Sequence, residues 1–255
     1  MGTLQWLATA SGGAPRDFRI DRGRARPVTG ALWLPPDPDA DTPLLLCGHG
    51  ASGDRYQAPI PYLGKRMTRE RGAAVLAIDG PVHGLRHVPP GGREALAIEM
   101  QREGAVEDMV RDWREALEAV GRDAGIGTGR MAYFGLSMGS IFGIPLLASG
   151  IGAHTATLGL LGTWGIGRTF GERLARDAAT IDIPVLFLMQ LEDEIFNRKG
   201  CLELFDAIGS ADKRLHANPG LHPEIPAEEI DFAFEFLARR LAGEVRRGIV
   251  NPLAE

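Results

Sequence analysis

Apolar residues run in short unbroken blocks along most of the chain, and segments with helical spacing lie between the blocks. The blocks read PLLLC, AAVLAID, MAYFG, TATLGLL, PVLFLMQ and a weaker KRLHA, which begin at positions 43, 73, 131, 155, 184 and 213. Continuous apolarity is typical of parallel strands that are covered on both faces. Strands that alternate with helices predict a mostly parallel sheet flanked by helices, an α/β architecture.

Two of the intervening segments have a clear amphipathic pattern. In the first, one apolar stripe runs from Val106 to Val120, and Gly121 is predicted to end the helix. The second helix is predicted from about 226 to 247, with acidic residues near its start and arginines near its end, as the helix dipole favours. Ahead of the first parallel strand, RDFRID and PVTGALWLP predict an antiparallel hairpin at the sheet edge. We therefore expect a single α/β domain over residues 1–255 with about eight strands.

Composition narrows the class of partner. The chain has 44% hydrophobic and 24% charged residues, which is typical of a soluble globular protein, and a net charge of −5, which argues against nucleic acid or an anionic membrane as the partner. No stretch reaches the roughly 20 apolar residues of a membrane span, and the first residues lack a basic, apolar leader pattern. Two cysteines, Cys47 and Cys201, are too few for a disulfide framework. A cytoplasmic protein that acts on a small molecule is expected, and its oligomeric state stays open.

The segment LLLCGHGASGD contains Gly48, Gly50 and Gly53 in the spacing of a dinucleotide-binding turn. Such a turn should lead directly into a helix, but Pro59 and Pro61 follow it and postpone a helix. Asp79 ends the next apolar block, where a dinucleotide-binding protein would hold a ribose. We interpret it instead as a structural acid that braces the DGPVHG turn, and no dinucleotide cofactor is expected.

The segment MAYFGLSMGSIFG places Gly135-Leu136-Ser137-Met138-Gly139 directly after an apolar strand and directly before a helix-like run. In that context the pattern G-x-S-x-G predicts a sharp strand-to-helix turn that exposes the central side chain at the carboxyl edge of the sheet. Glycines two residues before and after are needed because larger side chains would collide with neighbouring backbone. Ser137 is therefore predicted to be a nucleophile.

A serine hydroxyl needs a base to take its proton, and the base needs a third group to orient it. In this type of fold the chain order is serine, acid, histidine. Of the histidines after Ser137, His154 precedes its strand and His216 lies within the last strand. His222 follows the last strand at the correct edge and is the predicted base.

The acid is expected after the strand PVLFLMQ, where the segment LEDE offers Glu192, Asp193 and Glu194. Asp182 precedes that strand and lies at the opposite end. We favour Asp193, with Glu192 as the alternative, because position alone does not separate neighbours on a turn.

The segments CGHGASG, AIDGPVHG, GLSMG, LMQLEDE and PGLHPE occur in the order found in α/β-hydrolases and span Leu44 to Glu224. The chain resembles single-domain serine esterases related to dienelactone hydrolases. The resemblance implies an oxyanion hole formed by the backbone N–H groups of Ala51, which follows the His49-Gly50 pair, and of Met138. Dienelactone hydrolases proper use a cysteine nucleophile, so their substrate is not carried over to this chain.

These features predict a hydrolase that cleaves a carboxylic ester, lactone or thioester of a small substrate through a Ser-His-Asp triad and an acyl-enzyme. The alternatives are an acyltransferase or a peptidase (amidase) that uses the same triad, and more distantly a non-catalytic binding protein on this fold. No cofactor and no metal are expected. His83 and His87 have helical spacing, but the glycines and prolines that surround them argue against a helical metal site.

Two loops, 80–92 and 162–182, are expected to lie over the active site as small covering segments. His83, Trp164 and Phe170 are the candidates for substrate binding within them, and both loops could equally be ordinary surface loops with packed aromatic side chains. Neither loop is long enough for a separate lid domain, which favours a small or slender acyl substrate.

Overall fold

The computed structural model describes residues 2–7, 15–23, 25–164 and 168–244. Nine strands of these residues form one sheet, in the order β1-β2-β3-β5-β4-β6-β7-β8-β9. The strands are β1 (Thr3–Trp6), β2 (Arg16–Arg22), β3 (Ala25–Trp33), β4 (Leu44–Gly48), β5 (Ala74–Ile78), β6 (Met131–Gly135), β7 (Ala153–Gly159), β8 (Val185–Gln190) and β9 (Lys213–Asn218).

The sheet combines an antiparallel edge with a parallel centre. The strands β1, β2, β3 and β5 pair antiparallel in that order, and all pairs from β5 to β9 are parallel. This arrangement confirms the predicted α/β class and the antiparallel N-terminal edge. The expected eight strands become nine because β1, only four residues long, adds to the edge. Its apolar residues Leu4 and Trp6 pack on the core although the strand is too short for a distinct sequence pattern.

Seven helices accompany the described strands: α1 (Ile60–Glu70), α2 (Gly92–Glu99), α3 (Ala105–Ala124), α4 (Met138–Ala148), α5 (Arg168–Ala178), α6 (Arg198–Ala207) and α7 (Ala227–Leu241). They form two layers. Buried residues of α1 and α7 share one core with one face of the sheet, and those of α2 to α6 share a second core with the other face. The central strands are therefore covered on both sides, which accounts for their unbroken apolar sequences. Within the described residues, no helix has the length and apolar character needed to cross a membrane.

Three predicted boundaries need correction. The helix α3 continues through Gly121 to Ala124, because a single helical glycine costs only about 1 kcal/mol, and it ends where Gly125 takes the left-handed conformation at φ +68°. The last helix ends at Leu241 rather than at 247, and residues 245–247 lie outside the described residues. The segment 162–182 is not only a loop, since it contains α5.

The parallel strands bring distant residues to one edge of the sheet. Ala51 follows the end of β4, Ser137 follows β6, Asp193 follows β8 and His222 follows β9. Because the carboxyl ends of parallel strands lie at the same edge, all four residues are placed where ligands bind in this class of fold.

Candidate active site

The turn between β6 and α4 holds Ser137 in a rare backbone conformation, with φ 56° and ψ −118°. Such a conformation costs about 1–3 kcal/mol and is kept only where the surroundings enforce it. The neighbouring glycines leave the space that the turn requires. A Cβ on Gly139 would lie 2.4 Å from the carbonyl oxygen of Gly48, and a Cβ on Gly135 would lie 2.7 Å from that of Gly139. The collisions expected from the sequence are therefore present.

Buried hydrogen bonds hold the turn around Ser137 in place. The Ser137 N–H donates to the carbonyl oxygen of Gly159 over 3.0 Å. The hydroxyl of Ser140 accepts from the Gly159 N–H at 2.8 Å and lies 2.7 Å from the carbonyl oxygen of Gly135. The Tyr133 hydroxyl donates to the Gly139 carbonyl oxygen at 2.6 Å. The turn is thus tied to β7 and to the core beneath it.

The side chains of Ser137, His222 and Asp193 form one hydrogen-bonded chain. His222 Nε2 lies 2.9 Å from Ser137 Oγ, and His222 Nδ1 lies 2.8 Å from Asp193 Oδ2. The side chains of His222 and Asp193 are 6% and 1% exposed, so little water competes for these contacts. A base within hydrogen-bond reach of a hydroxyl, itself oriented by a carboxylate, is the geometry needed to activate a serine.

Asp193 is held as a carboxylate in this position. Burial alone would raise its pKa, but hydrogen bonds from His222 and from the N–H groups of Phe196 and Ile195 lower the pKa below its ordinary value. Both N–H groups donate to Oδ1 at 2.8 Å, which leaves Oδ2 directed at His222. Glu192 Oε2 instead accepts from the Gly220 N–H. The structure therefore brings Asp193, and not its neighbour, to the histidine ring.

Glu194 supports the same loop through the backbone. Its Oε2 accepts from the His222 N–H at 2.8 Å, and this hydrogen bond lowers the pKa of Glu194. Phe196 packs beside the His222 ring, with the ring centroids 5.7 Å apart. The turn after β8 thus contacts the histidine through a carboxylate, a backbone hydrogen bond and an aromatic face.

The glycine-rich turn after β4 is organised around His49, which is 3% exposed. Its Nδ1 lies 2.8 Å from the Gly50 carbonyl oxygen, and its Nε2 accepts from the Gly80 N–H at 2.8 Å. Nε2 acts as an acceptor, so the ring is neutral with its proton on Nδ1. Burial lowers the pKa of His49 to about 4, consistent with that form. The ring joins the turn after β4 to the turn after β5.

His83 lies behind the same turn. Its Nε2 is 3.0 Å from the carbonyl oxygen of Ala51, its ring stands edge-on to that of His49, and burial lowers its pKa. The Asp79 carboxylate accepts from the Leu85 N–H and from the Arg55 side chain, so Asp79 braces the DGPVHG turn as expected.

Two cavities meet at Ser137. The smaller, about 250 Å³, includes His49, Ser52, Gln57 and His222 in its walls. The larger, about 450 Å³, is walled mainly by Leu96, Met100, Ile141, Phe170, Ile195 and Phe196. Ala51 and Arg93 line both cavities, and Met138 lines the larger one. Met138 is the first residue of α4, so its N–H has no acceptor within the helix.

The three residues predicted to bind substrate lie in different surroundings. Phe170 lines the larger cavity, whereas His83 and Trp164 line neither of the two cavities at Ser137. His83 is turned to the backbone of Ala51, and Trp164 is half exposed with its indole N–H donating to Glu203. An aromatic side chain in a loop carries no sequence signal for its direction, which explains the difference.

Sequence reasoning did not identify α2, although this helix supplies Arg93 and Leu96 to the walls of the larger cavity, and Met100, which directly follows the helix, also lines it. Leu96 and Met100 are one helical turn apart, which was the available signal, but the helix is short and follows a glycine- and proline-rich segment. The two other histidines after Ser137 in the chain have partners elsewhere. His154 accepts from the Met131 N–H near the start of β7, and His216 pairs with Glu229. Among the described residues, no group of three or more acidic, histidine or cysteine side chains is placed to hold a metal ion.

Comparison with solved structures shows which proteins the whole chain is similar to. An esterase from an Arctic intertidal metagenomic library, described as cold-adapted, is 30% identical, with 92% of this chain and 99% of that chain covered and a TM-score of 0.79. An acetyl xylan esterase from Paenibacillus sp. R4 is 17% identical over 93% and 88% of the two chains, with a TM-score of 0.72. The Pyrococcus furiosus esterase Pf2001 is 15% identical over 89% and 92%, with a TM-score of 0.65.

The last two similarities show the fold alone, whereas the first extends to sequence along nearly the whole chain. No protein-family model and no curated protein sequence matches the chain. The chain belongs to the esterase-like α/β-hydrolases.

Proposed function

We propose that this protein is a serine hydrolase that cleaves carboxylic ester bonds, with Ser137 as nucleophile, His222 as general base and acid, and Asp193 as the group that orients the histidine. The observation that carries the proposal is the unbroken hydrogen-bond chain from Ser137 Oγ through His222 to Asp193, on a strained turn at the mouth of two cavities. The esterase at 30% identity supports the choice of ester bonds.

In the first half of the reaction, Ser137 Oγ forms a bond to the ester carbonyl carbon while His222 Nε2 takes the hydroxyl proton. The electron pair of the carbonyl double bond moves onto its oxygen. When the double bond re-forms, the bond to the alcohol oxygen breaks, and His222 gives its proton to that oxygen. An alcohol leaves, and the acyl group stays on Ser137.

In the second half, water takes the place of the alcohol. His222 removes a proton from the water as its oxygen attacks the acyl carbon, and the same proton returns to Ser137 Oγ when the acyl bond breaks. The products are a carboxylic acid and the free enzyme. Throughout, the Asp193 carboxylate stabilises the positive charge that forms on the histidine ring, which its lowered pKa permits at neutral pH.

The negative charge that develops on the carbonyl oxygen needs donors. We assign this role to the N–H groups of Ala51 and Met138, which adjoin the cavities at Ser137. The Met138 N–H lies at the N-terminus of α4, where the helix dipole also favours negative charge. Each such donor contributes about 3 kcal/mol to lowering the barrier.

The first experiment compares Ser137→Ala with the wild-type protein on p-nitrophenyl esters and with a fluorophosphonate probe. We expect kcat to fall at least about 10⁴-fold in the variant, because the nucleophile is lost. Only the wild-type protein should be labelled, on the peptide that contains Ser137. Ser149→Ala is the matched control, since Ser149 lies at the far end of α4 and caps its last turn.

Near-normal turnover of Ser137→Ala would contradict the proposal. Acyl transfer to an alcohol in place of water uses the same side chains, and product analysis with a competing alcohol separates the two reactions. Absence of probe labelling in the wild-type protein would instead favour a binding protein on this fold.

A further inference from the structure

We propose that the two cavities divide the substrate, with an apolar acyl chain in the 450 Å³ cavity and a compact alcohol in the 250 Å³ cavity. Below, these are called the acyl cavity and the alcohol cavity. The assignment rests on the proposed function, because it uses the proton transfer by His222. It predicts a substrate class that the fold does not specify, namely esters whose acyl chain is longer than acetyl.

The position of His222 determines the direction of binding. The leaving oxygen must come within hydrogen-bond reach of Nε2, since that atom delivers the proton to it. His222 lines the smaller cavity and not the larger one. The alcohol must therefore extend into the smaller cavity, and the acyl chain, which lies on the other side of the carbonyl carbon, extends into the larger one.

The walls of the acyl cavity fit an unbranched apolar chain. They are formed chiefly by the apolar side chains of Leu96, Met100, Ile141, Phe170, Ile195 and Phe196. Arg93, a charged residue, lines this cavity as well as the alcohol cavity. An acetyl group would leave most of this volume to water, whereas a longer chain would remove apolar surface from water.

The walls of the alcohol cavity are more polar than those of the acyl cavity. Gln57 Nε2 donates to Ser52 Oγ at 2.8 Å, and both side chains line the cavity beside the buried His49 ring. Gly50 and Gly53 make room for Gln57, since a Cβ on either would lie within 3.2 Å of its side chain. Three of the glycine-rich turn's residues, Gly50, Ser52 and Gly53, thus help to shape the side that we assign to the alcohol.

The experiment uses two series of esters and the wild-type protein. In the first, p-nitrophenol is constant and the acyl chain grows from acetyl to octanoyl. In the second, butyryl is constant and the alcohol grows from methanol to hexanol, with hydrolysis followed by proton release. We expect kcat/KM to rise about fourfold with each added acyl methylene until the cavity is filled, which corresponds to about 0.8 kcal/mol for each methylene buried. In the alcohol series, we expect kcat/KM to change much less with each methylene added to the alcohol.

Variants test which side chains set that dependence. Ala97 is exposed on α2 and lines the acyl cavity, so Ala97→Phe should fill part of it and lower the ratio of hexanoate to acetate kcat/KM at least tenfold. Ile98→Phe is the matched control, because the next residue of the same helix is 59% exposed and lines neither cavity. Phe170→Ala enlarges the same cavity and should shift the acyl length with the highest kcat/KM upward, the opposite of the effect expected for Ala97→Phe. This second variant keeps the proposal testable should Ala97→Phe fail to fold.

Each outcome separates the two proposals. A wild-type protein that cleaves no ester in either series would overturn the proposed function itself. A protein that cleaves esters but prefers acetate, or one in which Ala97→Phe or Phe170→Ala changes the alcohol series and not the acyl series, would overturn the division of the cavities while leaving the esterase proposal in place.

Discussion

His49 makes two hydrogen bonds that substitution can separate. Its Nδ1 donates to the Gly50 carbonyl oxygen, and its Nε2 accepts from the Gly80 N–H. The side-chain amide nitrogen of asparagine lies as many bonds from Cα as Nδ1 does, and the amide oxygen of glutamine lies as many as Nε2 does. His49→Asn should therefore keep the first hydrogen bond, and His49→Gln the second.

The hydrogen bond from His49 Nδ1 to the Gly50 carbonyl oxygen is expected to affect turnover. The Gly50 carbonyl and the Ala51 N–H belong to one trans peptide and point in opposite directions. Holding the carbonyl on His49 therefore sets the direction of the N–H that we propose as an oxyanion donor. Loss of one such donor costs about 10²–10³ in kcat, which is the upper limit expected for His49→Gln. Gly50 is only half-buried, so water can satisfy its carbonyl and the stability of this variant should change little.

The hydrogen bond from the Gly80 N–H to His49 Nε2 is expected to affect stability. Gly80 is buried, and removal of its acceptor leaves an unpaired N–H at a cost of about 1–3 kcal/mol. His49→Asn should lose that amount in urea unfolding while keeping kcat on p-nitrophenyl butyrate within a few fold of wild type. The reasoning would be refuted by a glutamine variant with wild-type kcat, or by an asparagine variant that loses turnover as strongly as the glutamine variant does.

Three further predictions concern the same edge of the sheet. Ser140→Ala should lower the free energy of unfolding by about 1–3 kcal/mol, measured in urea, because it leaves the buried Gly159 N–H without its acceptor. Gly139→Ala should destabilise the protein by about 1–3 kcal/mol and lower kcat, since its Cβ would lie 2.4 Å from the Gly48 carbonyl oxygen, and an unchanged melting temperature would contradict this. Acid should destabilise the fold between about pH 6.5 and pH 4, because the pKa of His49 falls to about 4 on folding and the unfolded chain binds the proton first. The loss reaches about 3 kcal/mol for this residue and should be smaller in His49→Gln.

Much of the fold could be predicted from the sequence because the central strands are covered on both faces. Their unbroken apolar blocks predicted six of the nine strands, β4 to β9, and the two hairpin segments predicted β2 and β3. The strand ends then predicted the edge at which Ser137 and His222 lie. The strand β1 and the helix α2 were missed because both are short and take their stability from packing on the rest of the sheet. Helix propensity also misled at Gly121, where tertiary packing of α3 outweighs the cost of one glycine.

The residues of the candidate site could be predicted from the sequence only where a local pattern determines the backbone conformation. The Gly-x-Ser-x-Gly turn does so, whereas the choice between Glu192 and Asp193 depends on side-chain direction. Asp193 is short enough to accept hydrogen bonds from N–H groups two and three residues further on, at Ile195 and Phe196. An aspartate at the start of a turn commonly makes such bonds, so this signal was available in the sequence. His83 gave no comparable signal, because its partner Ala51 lies 32 residues earlier in the chain.

The energetic balance at Ser137 explains how the strained turn is maintained. Its conformation costs about 1–3 kcal/mol. Against this stand the bond from its own N–H to Gly159 and the bonds that Ser140 and Tyr133 make to the backbone around it, each with a net value of about 1 kcal/mol. These bonds also join β6, α4 and β7, so relaxing the turn would break contacts between three elements at once. The surroundings therefore enforce the strained conformation, in which Ser137 Oγ lies 2.9 Å from His222 Nε2. Preorganisation of this kind leaves substrate binding energy for selection in the two cavities, where we expect the chain to differ from its relatives.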